Sequence, residues 1–406
     1  MEFWIPYGET EVPVRVPDEN FYKILEPPKP GPAKDPASLV SQSLDSPVAD
    51  VSLQQMSKPR GRAGIVLDPL VPTEIAQATI EILKARLEKL GTSGVTIFLR
   101  KRTSNTIQQE NLPEGTLTVE PSQGTFTQVG KTSSGTPVSL RDDFLACDVK
   151  ICLSLVTPHF ATAFTGGPEA ILPGMSSPDT VAKNRSLILQ GIPSHQDGAW
   201  GTVLADTFEA VRLAGPVYSI SFVPDGWGSV DSVYSGEPES TFKEATARYL
   251  QVHSPRIDRK PDITILTAGK NLGMDLYHSV RILSNAWDIV RKDGTLILVA
   301  ECSKGIGDQS FLEFSRKFED RKALSTELRH HFKLGAHVSL MLKEAVERNR
   351  IQLVSVLPDH YSRMFNLKTA KTASAAVQSS IRAEGKDAKI LIIARGDLTL
   401  PTIQSG

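Results

Sequence analysis

Past residue 262 the chain alternates short apolar runs with longer stretches of helical period, and this alternation constrains the fold more than any other feature. The runs at 263–267, 295–300, 352–356 and 389–394 have strand length and almost no polar alternation. Between them, 276–290, 336–348 and 373–384 carry apolar side chains at helical spacing. A strand that is apolar on both faces belongs to a sheet covered on both sides, and such sheets are largely parallel. Parallel neighbours require crossovers, which helices supply with right-handed sense. The same signature appears earlier, with strands expected at 63–67, 95–99, 144–156 and 218–223 and helices at 73–90 and 239–252. At 406 residues the chain exceeds what one hydrophobic core organises. A basic, proline-flanked stretch at 254–261 marks a boundary, giving domains at 1–255 and 256–406. The proline-rich segment 26–38 reads as a connector between a β-rich start and the first α/β unit. The expectation is therefore an α/β protein: two α/β domains, largely parallel sheets, and an interdomain cleft where ligands bind.

Composition removes several partner classes. A net charge of -1 gives no electrostatic footing for nucleic acid or an anionic membrane. No apolar run approaches the roughly 20 residues that span a bilayer, and the N-terminus is not a signal peptide. Cys147, Cys152 and Cys302 form neither a disulfide framework nor a metal set and read as buried small hydrophobes, consistent with a reducing cytoplasm. The partner expected is a small anionic molecule; oligomeric state is left open.

Chemistry concentrates in residues 159–174, which follow an apolar strand. This window holds an imidazole (His159), two adjacent glycines (Gly166, Gly167), a carboxylate (Glu169) and a Pro-Gly stop. Loops at the carboxyl ends of strands in open α/β sheets are the usual ligand sites, and glycines there admit close backbone approach. The window resembles the nickel-dependent lactate racemase family, whose segment has the form His-Phe-Phe-Ala-Gly-Phe-Ser-Gly-Gly-x-Lys-x-x-Leu-Pro-Gly. The resemblance extends to Ile5-Pro6-Tyr7-Gly8, Ser43-Leu44-Asp45-Ser46-Pro47, Val66-Leu67-Asp68-Pro69, Ala182-Lys183-Asn184-Arg185-Ser186, Asp275 to Arg281 and Phe332 to His337.

That family's reaction moves a hydride between a 2-hydroxy acid and a nickel-pincer nucleotide. It uses a covalently anchoring lysine, a nickel-ligating histidine and two acid–base histidines. His159 falls at one acid–base position. Glu169 falls where the anchoring lysine belongs, and a carboxylate cannot form that linkage. Arg185 falls where the nickel-ligating histidine belongs, and guanidinium offers no lone pair. The second acid–base histidine is missing, with Thr103 nearest its place. Asp68 is kept while the arginine of its turn is gone, Arg281 replaces a lysine, and Phe332 stands for an aromatic near the cofactor. His278 lies one helical turn from Arg281 and is placed to face the same cleft.

The departures at 169 and 185 form a charge swap with two readings. Glu169 and Arg185 are a bidentate pair that fills the old cofactor chamber, or Arg185 and Arg281 bind a substrate carboxylate while His159 and Glu169 exchange protons. Asp68 and His278 join the expected substrate contacts; Gly166, Gly167 and Phe332 the expected cofactor contacts; no metal site is expected. Gly305-Ile306-Gly307-Asp308 is an anion-loop candidate, His330, His331 and His337 do not form a metal set, and Lys58 to Arg62 reads as a solvated connector or as part of a phosphate-facing edge. The implied function is a racemase or epimerase acting on a small 2-hydroxy acid or sugar acid, without a covalently held nickel-pincer nucleotide. The alternatives are a proton-abstracting epimerase or dehydratase, and a catalytically silent ligand-binding homologue.

Overall fold

The computed structural model describes residues 1–29, 35–56, 60–100, 116–119, 123–193 and 200–404, without side chains at 100 and 116–119. It contains two six-stranded sheets. The first runs Val230–Gly236, Val217–Pro224, Val149–Leu155, Arg62–Leu67, Gly94–Arg100, Thr116–Val119, parallel except for the antiparallel edge Val230–Gly236. The second runs Lys368–Thr369, Arg350–Val354, Thr295–Val299, Ile263–Thr267, Ile390–Ile393, Phe21–Leu25 and is parallel throughout. Every residue of Val149–Leu155, Val217–Pro224, Ile263–Thr267 and Thr295–Val299 is buried, as expected for strands covered by helices on both faces.

The helices Ala336–Arg348 and Ala373–Glu384 coincide with the expected spans, and Thr73–Lys89 differs by one residue. Two elements differ. The expected strand over 144–156 begins with the short helix Asp142–Leu145, and only Val149–Leu155 is extended. The helix expected over 276–290 is an α turn, Leu276–Ser279, followed by the 3-10 segment Val280–Asn285. There the Ser279 and Ser284 hydroxyls donate to the Asp275 and Arg281 carbonyls, a local competition that loosens helices.

The division at 255 needs a correction at the N-terminus. Phe21–Leu25 pairs with Ile390–Ile393, so it is the edge of the second sheet. The hairpin Glu2–Tyr7/Thr10–Arg15 packs there too, with Ile5, Val14 and Val16 in one core with Ile263, Ile297 and Val377. The connector thus carries the chain from the second sheet to the first. Near the other end, Leu400 packs with Tyr249 and Phe242, and Arg395 Nη1 donates to the Gly226 carbonyl at 2.9 Å. The two halves are stitched together at both ends of the chain. No helix among the described residues is long and apolar enough to cross a membrane. Cys147, Cys152 and Cys302 are buried free thiols.

Candidate active site

Val149–Leu155 lies centrally in the first sheet, and its carboxyl end feeds a tight hairpin, Thr157–His159 against Ala163–Thr165. Ala163 takes φ +60° to close it. Gly166 and Gly167 follow with φ +121° and +29°. A Cβ on Gly166 would lie 3.2 Å from the Leu155 carbonyl oxygen, and one on Gly167 3.3 Å from Phe242 Cδ2. The glycines therefore let the loop settle onto the sheet end. Neither lines the main cavity, whereas Gly166 borders a small adjoining recess together with Glu169.

That cavity, about 600 Å³, lies between the two halves. His159, Phe160, Glu169 and Arg185 line it from the first sheet's side, and Tyr277, His278, Arg281 and His337 from the second's. Five expected site residues (His159, Glu169, Arg185, His278 and Arg281) thus share one chamber. Asp68 does not line it: Asp68 Oδ1 accepts the Leu70 N–H at 3.0 Å and faces a small adjoining recess. Phe332 does not line it either; its ring stands 5.9 Å from that of His337. Thr103 lies outside the described residues. Gly307 packs against the Asp275 carboxylate and Asp308 caps the helix Gln309–Lys317, so the anion-loop candidate is a structural turn.

Arg185 is aimed by its neighbour. Asn184, fully buried, donates to the Val203 carbonyl at 3.0 Å and to Asp206 Oδ2 at 2.9 Å, locking Pro178–Ser186 onto Thr202–Leu213. Arg185 Nη2 then meets Glu169 Oε1 at 2.5 Å, with side chains 8% and 11% exposed. The pair forms as expected, but through one oxygen and one nitrogen instead of a two-point fork.

Arg281 is placed differently. Its guanidinium lies 5.2 Å from the Phe160 ring centroid and 6.0 Å from that of Tyr277. Among the described residues no carboxylate comes within ion-pair distance of it. Burial draws its pKa below the ordinary guanidinium value, and Arg185 adds to this, although Tyr277 and Glu169 oppose it. A half-desolvated cation over two aromatic faces is a receptor for an anion.

The three cavity imidazoles differ in what they present. Ala161 N–H points at His159 Nδ1 (3.3 Å) and the Thr162 hydroxyl lies 2.9 Å from the same nitrogen. A backbone N–H can only donate, so the neutral ring carries its proton on Nε2. His337 is the same case, its Nδ1 accepting the Gly335 N–H at 3.2 Å. Its ring stacks on Phe160 at 5.7 Å, and burial, with Arg185 and Arg281 nearby, lowers its pKa to about 3. His337 is therefore a fixed neutral donor at physiological pH. His278 is opposite: Nδ1 lies 2.8 Å from both Asp275 oxygens, and a carboxylate can only accept. Its Nε2 holds the lone pair. Asp275, His337 and Phe160 were not singled out as site residues from sequence. An Asp at a helix N-cap with His three positions on was the available signal for the first.

Comparison with known proteins places these residues in a lineage. Residues 7–196 match the family model for the lactate racemase N-terminal domain, and 257–398 that for the lactate racemase C-terminal domain. The chain is 24% identical to a lactate racemase of Lactiplantibacillus plantarum, covering 97% of each protein. It is 22% identical to a lactate racemase of Thermoanaerobacterium thermosaccharolyticum over 78% of each. The apoprotein structure of a lactate racemase from Thermoanaerobacterium thermosaccharolyticum superposes with a TM-score of 0.86 at 19% identity, over the whole of both chains. A structural-genomics structure from Thermotoga maritima follows at 0.65 and 14%, covering 91% of this chain and 97% of that one.

Proposed function

The chain belongs to the lactate racemase family, and we propose that it is a racemase or epimerase that inverts the carbon next to the carboxylate of a 2-hydroxy acid or sugar acid by proton transfer, without a covalently held nickel-pincer nucleotide. The residues at the two cofactor positions do not fit that group. Glu169 has no amine to anchor it, Arg185 has no lone pair for nickel, and each is engaged by the other in a buried ion pair. No cluster of three or more His, Cys, Asp or Glu suited to a metal occurs among the described residues.

The observation that carries this reading is Arg281, a cation without a carboxylate partner among the described residues, inside a chamber whose walls carry imidazoles on both sides. A carboxylate docked on Arg281 is neutralised there. The adjacent C–H is acidified because the electron pair left by the proton spreads into that carboxylate. His159, on a rigid hairpin, is the acid–base group; its partner Thr162 hydroxyl can donate or accept, so the ring keeps its Nδ1 contact in either protonation state. His337 Nε2–H is available to the substrate hydroxyl.

The test is to incubate purified protein in D2O with separate enantiomers of lactate, glycerate and malate, following chirality by chiral chromatography and label by NMR. Inversion accompanied by solvent deuterium at C2 is expected for at least one acid. Inversion without deuterium would instead indicate direct hydride return and would sink the proton-transfer reading. Intact mass should equal that of the unmodified chain, with nickel far below one atom per protein; a covalent adduct or one nickel per chain would overturn the reading.

A further inference from the structure

We propose that His278, oriented by Asp275, is the second acid–base residue of the cavity, opposite His159; this rests on the isomerase reading above. Inverting a carbon by proton transfer needs an acceptor on one face and a donor on the other. Among the described residues two further imidazoles line the chamber besides His159, and they are not equivalent. His337 is held neutral by burial and by two arginines, and its Nδ1 is occupied by the Gly335 N–H. His278 has the arrangement a base requires. Its backbone N–H is fixed by Asp275 Oδ1 at 2.8 Å, and its Nδ1 by both carboxylate oxygens at 2.8 Å. Asp275 is 4% exposed, so little water competes for it. When Nε2 takes a proton, the new imidazolium finds its counter-charge already in place.

The two histidines enter the cavity from different halves, His159 on the first-sheet hairpin and His278 on the helix Leu276–Ser279. The His159 ring lies 5.1 Å from that of Phe160, and the His278 ring 5.0 Å from that of Tyr277. Phe160 and Tyr277 are the two faces over which Arg281 sits. A carboxylate on Arg281 thus lies in a chamber that each half lines with an imidazole, His159 from one and His278 from the other. In one direction, the C2 proton passes to His278 Nε2 and the C–H pair moves into the carboxylate as an enediolate. The His159 imidazolium then returns its Nε2 proton to the opposite face, leaving the Nδ1–H tautomer with that hydrogen donated to the Thr162 hydroxyl oxygen. The reverse direction exchanges the roles, and solvent resets both rings.

Single-site variants separate the faces in D2O, using the enantiomers of lactate, glycerate and malate with the full-length protein. His278→Asn should lose inversion by about 10²- to 10⁴-fold, yet still exchange the C2 proton of one enantiomer. His159→Asn should retain exchange of the other. Asp275→Asn, which keeps the capping oxygen but offers an amide to Nδ1, should lower kcat with KM unchanged and shift the pH profile; melting temperatures establish that each variant is folded. If wild type inverts with label and folded His278→Asn keeps inverting, or loses exchange of both enantiomers, the assignment of His278 fails while the isomerase reading stands. If wild type neither inverts nor exchanges any acid, the isomerase reading fails and this assignment falls with it.

Discussion

Glu169 and Arg185 show how a substitution at one position constrains another. A lone carboxylate or guanidinium at this depth would be stranded without water, so each residue makes the other tolerable. Glu169→Gln or Arg185→Met should each cost about 3–5 kcal/mol in urea denaturation, because each leaves a buried charge unpaired. The double variant Glu169→Gln/Arg185→Met should recover most of that loss. Additive losses across the cycle would show that the pair is not coupled. The contiguous part of this site was legible in sequence, because His159 and Glu169 lie in one window and Arg185 in a recognisable phrase. Asp68 and Phe332 were misplaced for a common reason: adjacency to a motif does not say which way a side chain points. His337 was visible only as a nearby histidine, since the Phe160 ring that stacks on it comes from the other half of the molecule.

Among the elements, the continuous segment Leu276–Asn285 carries most of the second wall, and the turn before Gln309–Lys317 holds its start in place. Leu276 and Tyr277 N–H groups donate to the Gly305 and Ile306 carbonyls at 3.0 Å. Gly307, at φ +93°, leaves room for Asp275: a Cβ there would lie 2.4 Å from Asp275 Oδ1. Gly307→Ala should therefore cost at least 1–2 kcal/mol, about the left-handed penalty for a residue with Cβ, and should also displace the carboxylate that holds His278. The check is thermal melting together with turnover: a variant with wild-type kcat would show that Asp275 does not need this turn. Strands and helices with strong periodicity were readable because burial on both faces, or on one stripe, writes itself into composition. The pairing of Phe21–Leu25 with Ile390–Ile393 was not, since no local pattern names a partner so distant in the chain. The break at Ser279–Ser284 was hidden as well, because the apolar period continues through it while the hydroxyls compete for the backbone.

For the molecule as a whole, the cavity is also the seam between halves, so its electrostatics bear on stability. His337 reaches across the seam to Phe160, and its pKa falls from an ordinary 6.5 to about 3 in the fold. Its folded value is depressed, so the neutral ring is compatible with both states above about pH 6.5. As pH falls below that, the unfolded chain binds a proton that the folded chain refuses, and stability drains until pH approaches the folded value. The slope from this one ring is at most about 1.4 kcal/mol per pH unit. His253, buried against the Pro224 carbonyl, has its pKa lowered by burial and adds in the same direction. Protonating His337 would place a third cation beside Arg185 and Arg281, which acid would otherwise leave paired and cradled. The measurement is urea denaturation of wild type and His337→Gln at intervals from pH 7 to pH 4. The variant should start less stable, having lost a stacked ring, but its stability should decline less steeply between pH 6 and pH 4. Equal slopes would mean that His337 takes up its proton without opening the seam, and that the acid sensitivity of the fold resides elsewhere.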